Sequence, residues 1–550
     1  MAKKYRADKT AVSFKYSHLL IQRTELIAGA ILTLITIFLH LTFMLHAGAF
    51  WRDEVNSIAL ATMPSISDTW HCLSYDSFPI LLSLILRLWT ALVSDNELGL
   101  RIFGFLVSIS ILGVFWLNGR FLGYRVPLLS IALFAISPLA IRTADAIRPY
   151  GVGILLILLT FGLIWKVVQD GRTWQIAAAA IAAILSVQCL YQNAFFLAAI
   201  IFAGIIAAVC YRRWKKIILL VSIGIIAAIS LLPYLQSIKN AQDWVILFKH
   251  PVSFLMIYRE FFSALTAGGR FGFAIWIGFT LSGICILPYS YRPQTDHNQN
   301  RSALFLFCMV AMIVCTAAQL LFLKSMQVYV RSWYFLPSMA VTAIFLDVVF
   351  SSFNLWNILR IVLAIIAVVT TFNISQQEAC IRQTNIDIIA SELEQSAGKD
   401  DLIVVNPWYL SISFQHYYHG LAPFTTLPPI EDYKVHRYDL IKAKIASADP
   451  IEPVLSETSR ILKSGGSVWI VGGMRGVPPP ENYLPQPLPP APNSIYGWSA
   501  NEYTISWEQQ FMHLILSHIA QDSVLPPLTD KPISSLENCS IGIFRGWRQQ

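Results

Sequence analysis

Charge is scarce in this chain. Only 13% of its 550 residues are Asp, Glu, Lys or Arg, against roughly a quarter in an ordinary soluble domain. With 55% of the residues hydrophobic, that shortage argues against a soluble globular fold. Cysteine is also sparse. The eight cysteines contain no C-x-x-C pair, so neither a zinc knuckle nor a dithiol redox motif is present. Cys189, Cys210, Cys285, Cys308 and Cys315 lie in or beside apolar runs and read as small apolar residues. Cys380 and Cys539 are left as the pair that an oxidising compartment would allow to bond. No G-x-G-x-x-G links a strand to a helix, so the glycine pairs at 465–466 and 472–473 read as turns. No internal repeat of solenoid period is found. Nucleic-acid binding is set aside, because the basic residues sit in short clusters between apolar runs rather than along a polar face.

Apolar runs are plentiful. Residues 25–46, ELIAGAILTLITIFLHLTFMLH, reach the roughly 20 helical residues that cross a bilayer core. The run is too long for a removable signal peptide and has no small-residue cleavage site. Comparable runs at about 100–118, 126–141, 151–168, 174–190, 194–210, 217–235, 272–289, 303–323, 333–350 and 356–373 bring the expected number of spans to about 11. The stretch at 78–93 is shorter and carries Arg87, so it reads as an interfacial or re-entrant helix. Lys and Arg favour the cytoplasmic side of short loops. With the N-terminus inside, the basic loops 120–125, 166–172, 211–216 and 291–301 all fall inside, while most acidic clusters fall outside.

Net charge divides the chain. The whole carries +8, but residues 1–375 carry 28 basic and 14 acidic side chains and residues 376–550 carry 12 and 18. The expected organisation is an α-helical polytopic membrane domain at 1–375, with a first outer loop at 47–99, and an extracytoplasmic α/β domain at 376–550. In the latter, 401–406 (DLIVVN) and 467–473 (SVWIVGG) read as strands and 411–420 as a helix. The proline-rich run 478–492 reads as a stiff loop.

Polar chemistry concentrates in the first outer loop. Phe50-Trp51-Arg52-Asp53-Glu54 places two carboxylates directly after the first span, where an aromatic side chain can anchor the backbone at the interface. Such a carboxylate can serve as general base for a hydroxyl, or the pair can simply open a solvated helix. Farther along come Ser74-Tyr75-Asp76-Ser77-Phe78-Pro79, an apolar helix with Leu88-Trp89, then Leu98-Gly99-Leu100-Arg101. Ser137-Pro138, Ala146-Ile147-Arg148-Pro149-Tyr150 and Arg331-Ser332-Trp333-Tyr334-Phe335-Leu336-Pro337 follow at later span ends.

This order resembles the polyprenyl-phosphate-sugar-dependent membrane glycosyltransferases of the GT-C class, which include the protein O-mannosyltransferases and aminoarabinose transferases. In that family the first loop reads approximately W-x-D-E, then D-x-x-P-P-L, an apolar helix with L-W, and L-R. Two positions depart from the pattern. Ile80 stands where a second proline is usual, and Ala146 stands where an acidic residue is common, with Asp145 one position earlier.

The resemblance implies transfer of a sugar from a polyprenyl monophosphate to an acceptor hydroxyl of protein, lipid or polysaccharide on the outer face of a bacterial inner membrane. Asp53 would be the base or the carboxylate that orients the acceptor. Glu54, Asp76 and Asp145 would hold acceptor or sugar, and Arg142, Arg148, Tyr150, Lys324 and Arg331 would complete the substrate site. The four cations would meet the leaving phosphate. The carrier supplies the activated bond, so no nucleotide cofactor is expected. A divalent cation at His71 with Asp53 or Glu54 is a further option that no ligand spacing supports. The other class of function open to such a chain is a transporter or flippase for a lipid-linked sugar or polymer. Against that reading stand the absence of evident internal duplication and the gathering of acidic residues on one side.

Overall fold

The computed structural model describes residues 2–290, 296–352, 354–473 and 500–548; the proline-rich run 478–492 lies outside them. The protein is a multi-pass membrane protein with a C-terminal sheet region. Eight described helices are long and apolar enough to cross a bilayer: Leu20–His46, Glu97–Leu122, Pro149–Gln169, Gln192–Cys210, Trp214–Phe248, Asn300–Met326, Ser332–Phe350 and Ile358–Ala379. They coincide with eight of the expected runs. Thr173–Cys189 and Gly272–Cys285 are shorter apolar helices at two more.

The remaining run, 126–141, is not one helix. Ser130–Ala135 is π-helical, Ser137 is extended, and a separate short helix Pro138–Ala144 follows. Two features account for the break. Pro138 has no N–H for the preceding turn, and the Asp347 carboxylate accepts hydrogen bonds from the Leu129 and Ser130 amides at 3.0 and 2.8 Å and from the Ser130 hydroxyl at 2.8 Å. Asp347 is itself fully buried beside Arg360, whose guanidinium reaches Glu25 at 2.6 Å. An uninterrupted apolar run thus hides a bent element whose free amides a distant carboxylate satisfies.

The stretch read as interfacial forms Leu81–Leu92, about 18 Å long at 1.5 Å per residue and short of the ~30 Å bilayer core. It buries Leu82 and Leu86 and leaves Leu84, Leu88 and Leu92 exposed. Arg87 turns back to donate to the carbonyls of Ala61, Met63 and Pro64 at 3.3, 2.8 and 3.1 Å. A basic residue in an apolar helix here satisfies the C-terminal carbonyls of the helix Arg52–Ala61.

Seven strands are described after the last span: β1 (Arg382–Thr384), β2 (Leu402–Asn406), β3 (Phe424–Thr426), β4 (Ser467–Gly472), β5 (Ile519–Val524), β6 (Ile533–Glu537) and β7 (Ser540–Trp547). Five form one sheet in the order β3-β2-β4-β7-β5, and β1 pairs with β6. β2 runs parallel to β3 and β4, while β7 is antiparallel to β4 and β5. All five residues of β2 are buried, as a strand covered on both faces requires. Leu402, Val404 and Ile470 pack beneath the helices Tyr438–Ile445, Glu452–Lys463 and Ala500–His518. Ile403, Val405 and Trp469 face Ile386–Ser396 and Ser411–Tyr417. All eight cysteines are free, Cys380 and Cys539 included.

This region is stitched to the membrane helices beside the end of the first span. The Gln383 amide donates to the Ala47 carbonyl at 2.8 Å, and the Tyr417 hydroxyl accepts from the Phe50 amide at 2.8 Å while donating to Glu97 at 2.5 Å.

Asp347→Ala would strand three buried donors and leave Arg360 with one fewer counter-charge. The expected loss is about 3–5 kcal/mol, read as a lowered thermal unfolding midpoint of the purified protein in detergent.

Candidate functional site

The first span ends in a reversal that only a few side chains would permit. Gly48 has φ +65°, and a Cβ there would lie 2.6 Å from the Arg382 guanidinium carbon. The turn delivers Trp51 as N-cap of the helix Arg52–Ala61, with Asp53 and Glu54 in its first turn, where the helix dipole favours negative charge.

The two adjacent carboxylates then diverge. Glu54 is fully buried and pairs with Arg101 at 2.9 Å; its Oε1 also accepts the Ile147 amide at 2.9 Å. Arg101 reaches on to the carbonyls of Gly48 and Ala49 at 3.0 and 2.9 Å. Every polar atom of this pair is committed to the scaffold. The expectation that Glu54 holds substrate is therefore replaced by a structural assignment, because no solvent-facing oxygen remains.

Asp53 keeps 26% of its side chain exposed and lines a cavity of about 380 Å³, inside the roughly 300–1,000 Å³ range of small-molecule sites. Arg142, Arg148, Tyr150 and Arg331 line the same cavity, together with Trp51, Trp333 and Glu378. The C-terminal region contributes Gln383, Ser535 and Leu536 to its wall. Five of the nine expected site residues thus meet in one place.

Arg148 is the N-cap of Pro149–Gln169. Its Nη1 donates to the Asp53 carbonyl at 2.8 Å and to the Ser57 hydroxyl at 2.9 Å, and its guanidinium lies 4.8 Å from the Phe78 ring. Its buried Nε has no partner among the described residues. Tyr150 sits between Phe78 and Trp333, with ring centroids 5.6 and 6.3 Å away. Arg142 is engaged by Glu378 at 2.9 Å and Ser534 at 2.8 Å. Arg331 is exposed beside Trp333 and has no ion pair among the described residues. Of the three arginines lining the cavity, Arg148 and Arg331 have no ion pair among the described residues, whereas Arg142 has one.

The remaining expected residues lie elsewhere. Asp145 is 2% exposed and is bonded to His40 Nδ1 at 2.7 Å inside the helices, so it cannot reach the cavity. Lys324 donates to the Val252 carbonyl beside Phe254. Asp76 is half-buried, outside the cavity lining, with one oxygen accepting the Ser77 amide at 2.7 Å. His71 is exposed and its Nδ1 bonds the Ser67 carbonyl. Among the described residues no group of three or more His, Cys, Asp or Glu is arranged to hold a metal.

Two residues at Asp53 were not anticipated. His436 Nε2 lies 3.3 Å from Asp53 Oδ1, and Arg52 Nε approaches the same oxygen at 3.3 Å. Burial by itself would push the Asp53 carboxyl up, but the His436 hydrogen bond and the Arg148 and Arg52 guanidiniums hold it well below the usual carboxylate range. Asp76 moves the other way: burial raises it, and Arg148 only partly opposes that. The two carboxylates near Arg148 are thereby pushed apart. His436 has no sequence signal, since it lies 383 positions from Asp53.

Residues 77–236 match the model of the family described as dolichyl-phosphate-mannose-protein mannosyltransferase. The stretch holds Arg142, Asp145, Arg148 and Tyr150; Asp53, Glu54 and Asp76 precede it and Lys324 and Arg331 follow it. No curated protein matches the chain. Among solved structures, the chain is similar to the Archaeoglobus fulgidus oligosaccharyltransferase in complex with Zn and sulfate, at 12% identity and TM-score 0.41, covering 80% of this chain and 67% of that one. It is also similar to ArnT from Cupriavidus metallidurans bound to undecaprenyl phosphate, at 13% identity and TM-score 0.36, covering 81% and 92%.

Two outcomes are expected from these environments. Glu54→Ala leaves Arg101 buried and unpaired, so unfolding measured in detergent should show a loss of about 3–5 kcal/mol. For Asp53 the folded pKa is depressed, so its stabilisation is complete above the unfolded value of about 3.9 and is lost as pH falls from there through the folded one. The difference in unfolding midpoint between wild type and Asp53→Asn should be flat from pH 5 to 8 and shrink below about pH 4.

Proposed function

We propose that the protein is a membrane glycosyltransferase that moves a sugar from a polyprenyl monophosphate to an acceptor hydroxyl, in the cavity bounded by Asp53, Arg148 and Arg331. The observation that carries this reading is the joint presence of one ionised, partly exposed carboxylate and two guanidiniums without an ion pair among the described residues around a single cavity at the end of the spans. The relationship of residues 77–236 to the mannosyltransferase family supports it. The undecaprenyl phosphate bound to ArnT gives a precedent for the donor's lipid.

In this reading the acceptor oxygen forms a bond to the anomeric carbon while the bond from that carbon to phosphate oxygen breaks. The phosphate takes the bonding electron pair, and the hydroxyl proton passes to Asp53 and then to solvent. Arg148 and Arg331 meet the charge that gathers on the phosphate. A single displacement of this kind inverts the anomeric centre. Asp53 is a weak base as it stands, so it orients the hydroxyl first and accepts the proton only as the new bond makes the hydroxyl acidic. The lipid tail would lie among the spans, and no nucleotide is required. The basic loops at the opposite ends of the spans support placing the cavity and the C-terminal domain, residues 376–550, on the outer face of the membrane.

The test uses purified proteoliposomes and a panel of polyprenyl-phosphate mannose, glucose and aminoarabinose. Wild type should release or transfer sugar from one donor, and Asp53→Asn should lower kcat by about 10²–10⁴-fold. Arg331→Ala should raise the donor KM by roughly tenfold or more, as loss of one charge-assisted hydrogen bond implies. Equal activity of wild type and Asp53→Asn, or lipid-linked sugar carried across the bilayer without cleavage, would overturn the proposal.

A further inference from the structure

The Asp53 carboxylate is held asymmetrically. Arg52 Nε and His436 Nε2 both address Oδ1, whereas Oδ2 has no hydrogen-bond partner among the described residues. Asp53 lines the cavity and His436 does not. The imidazole, 8% exposed, therefore grips one carboxylate oxygen and leaves the other free for a ligand.

The segment carrying His436 is fixed independently of that contact. The His436 amide donates to Asn56 Oδ1 at 3.0 Å, one helical turn beyond Asp53. Its ring stacks on Tyr438 with centroids 5.3 Å apart and planes 16° apart, and Tyr438 stacks on Trp244 at 4.6 Å and 22°. Arg437 is held by Asp432 and Asp439 at 2.7 and 2.8 Å. An apolar ring at 436 would keep the stacking, so packing alone gives no reason for an imidazole. The buried Nδ1 has no partner among the described residues, which leaves the contact with Asp53 as the ring's one polar engagement there. Because Asp53 is ionised, Nε2 must carry the proton in that contact.

We propose that His436 is a positioning residue for Asp53, supplied by the C-terminal region to a carboxylate carried by the helix Arg52–Ala61. The Nε2–H bond to Oδ1 fixes the carboxylate rotamer so that Oδ2 points at the acceptor hydroxyl. This inference rests on the glycosyltransferase reading, in which Oδ2 receives the acceptor. A carboxylate held at one oxygen samples fewer orientations before reaction, and misplacement by about 1 Å can cost on the order of 10²-fold in rate.

Two substitutions separate the roles of the ring. His436→Phe keeps the stack on Tyr438 and removes the donor. His436→Gln places an amide N–H near the position of Nε2. With the polyprenyl-phosphate sugar panel in proteoliposomes, His436→Phe should lower kcat about 10- to 100-fold with the donor KM unchanged, and His436→Gln should recover most of that loss. Wild-type kcat in His436→Phe, or equal loss in both variants, would overturn the proposal while leaving the role of Asp53 standing. A second measurement does not depend on transfer. Thermal unfolding midpoints of wild type, Asp53→Asn, His436→Phe and the double variant in detergent form a cycle. Non-additive shifts are expected, and strictly additive shifts would overturn the contact even if none of the donors is turned over.

Discussion

The buried pair of Glu54 and Arg101 is the constraint on which the site depends. One carboxylate on the helix Arg52–Ala61, one guanidinium on the span Glu97–Leu122, the carbonyls of Gly48 and Ala49 and the amide of Ile147 meet at a single point. Burying two charges is costly unless their hydrogen bonds are completed, and here the completing partners are the backbone segments that must be placed. Gly48 and Ala49 precede Asp53, and Ile147 precedes Arg148. By fixing both ends, the pair sets the distance between the carboxylate and the guanidinium that border the cavity. Packing reinforces this: a Cβ at Gly104 would lie 2.0 Å from the Asp145 carbonyl oxygen, so only glycine lets the 144–148 turn approach the Glu97–Leu122 helix so closely.

A second network does the same work deeper in the helices. Asp347 replaces the backbone partners that the π-helical turn and Pro138 remove, and Arg360 and Glu25 balance its charge. The irregular backbone at 126–141 is tolerable because it is enclosed by protein. The break also starts the short helix Pro138–Ala144, which contributes Leu139, Arg142 and Thr143 to the cavity wall. A continuous span in its place would carry those residues through a straight helix and close the space they border.

The parts of this arrangement that repeat with a period were legible in the sequence. Apolar runs located eight long helices, the shorter Leu81–Leu92 helix was distinguishable by its length and Arg87, and DLIVVN and SVWIVGG gave two central strands. Asp53 stood out through the resemblance carried by the first-loop motifs, since the residues alone left it equally readable as the start of a solvated helix. Local pattern could not tell Asp53 from Glu54. Neighbours in sequence, they point about 100° apart around the helix axis, and the position of Arg101 decides which is buried. Asp145 resembled a site carboxylate for the same reason, until His40 on the first span claimed it. The bend at 126–141 was hidden because its cause, Asp347, lies more than 200 residues away. His436 was invisible because the contact depends on how the C-terminal sheet docks.

That docking bears directly on how Asp53 can be both strongly acidic and useful. Arg52, Arg148 and the His436 hydrogen bond favour the ionised carboxylate, which makes it a good partner for a hydroxyl but a poor taker of its proton. Under the proposed reaction the donor brings a phosphate to Arg148 and Arg331. A nearby anion offsets part of the cationic field at Asp53 and raises its affinity for a proton. Donor binding would therefore strengthen the base at the moment an acceptor can react, whereas an acceptor entering alone would meet a carboxylate too weak to activate it. Cations shared between the leaving phosphate and the carboxylate thus give a physical reason for loading the donor before the hydroxyl is activated.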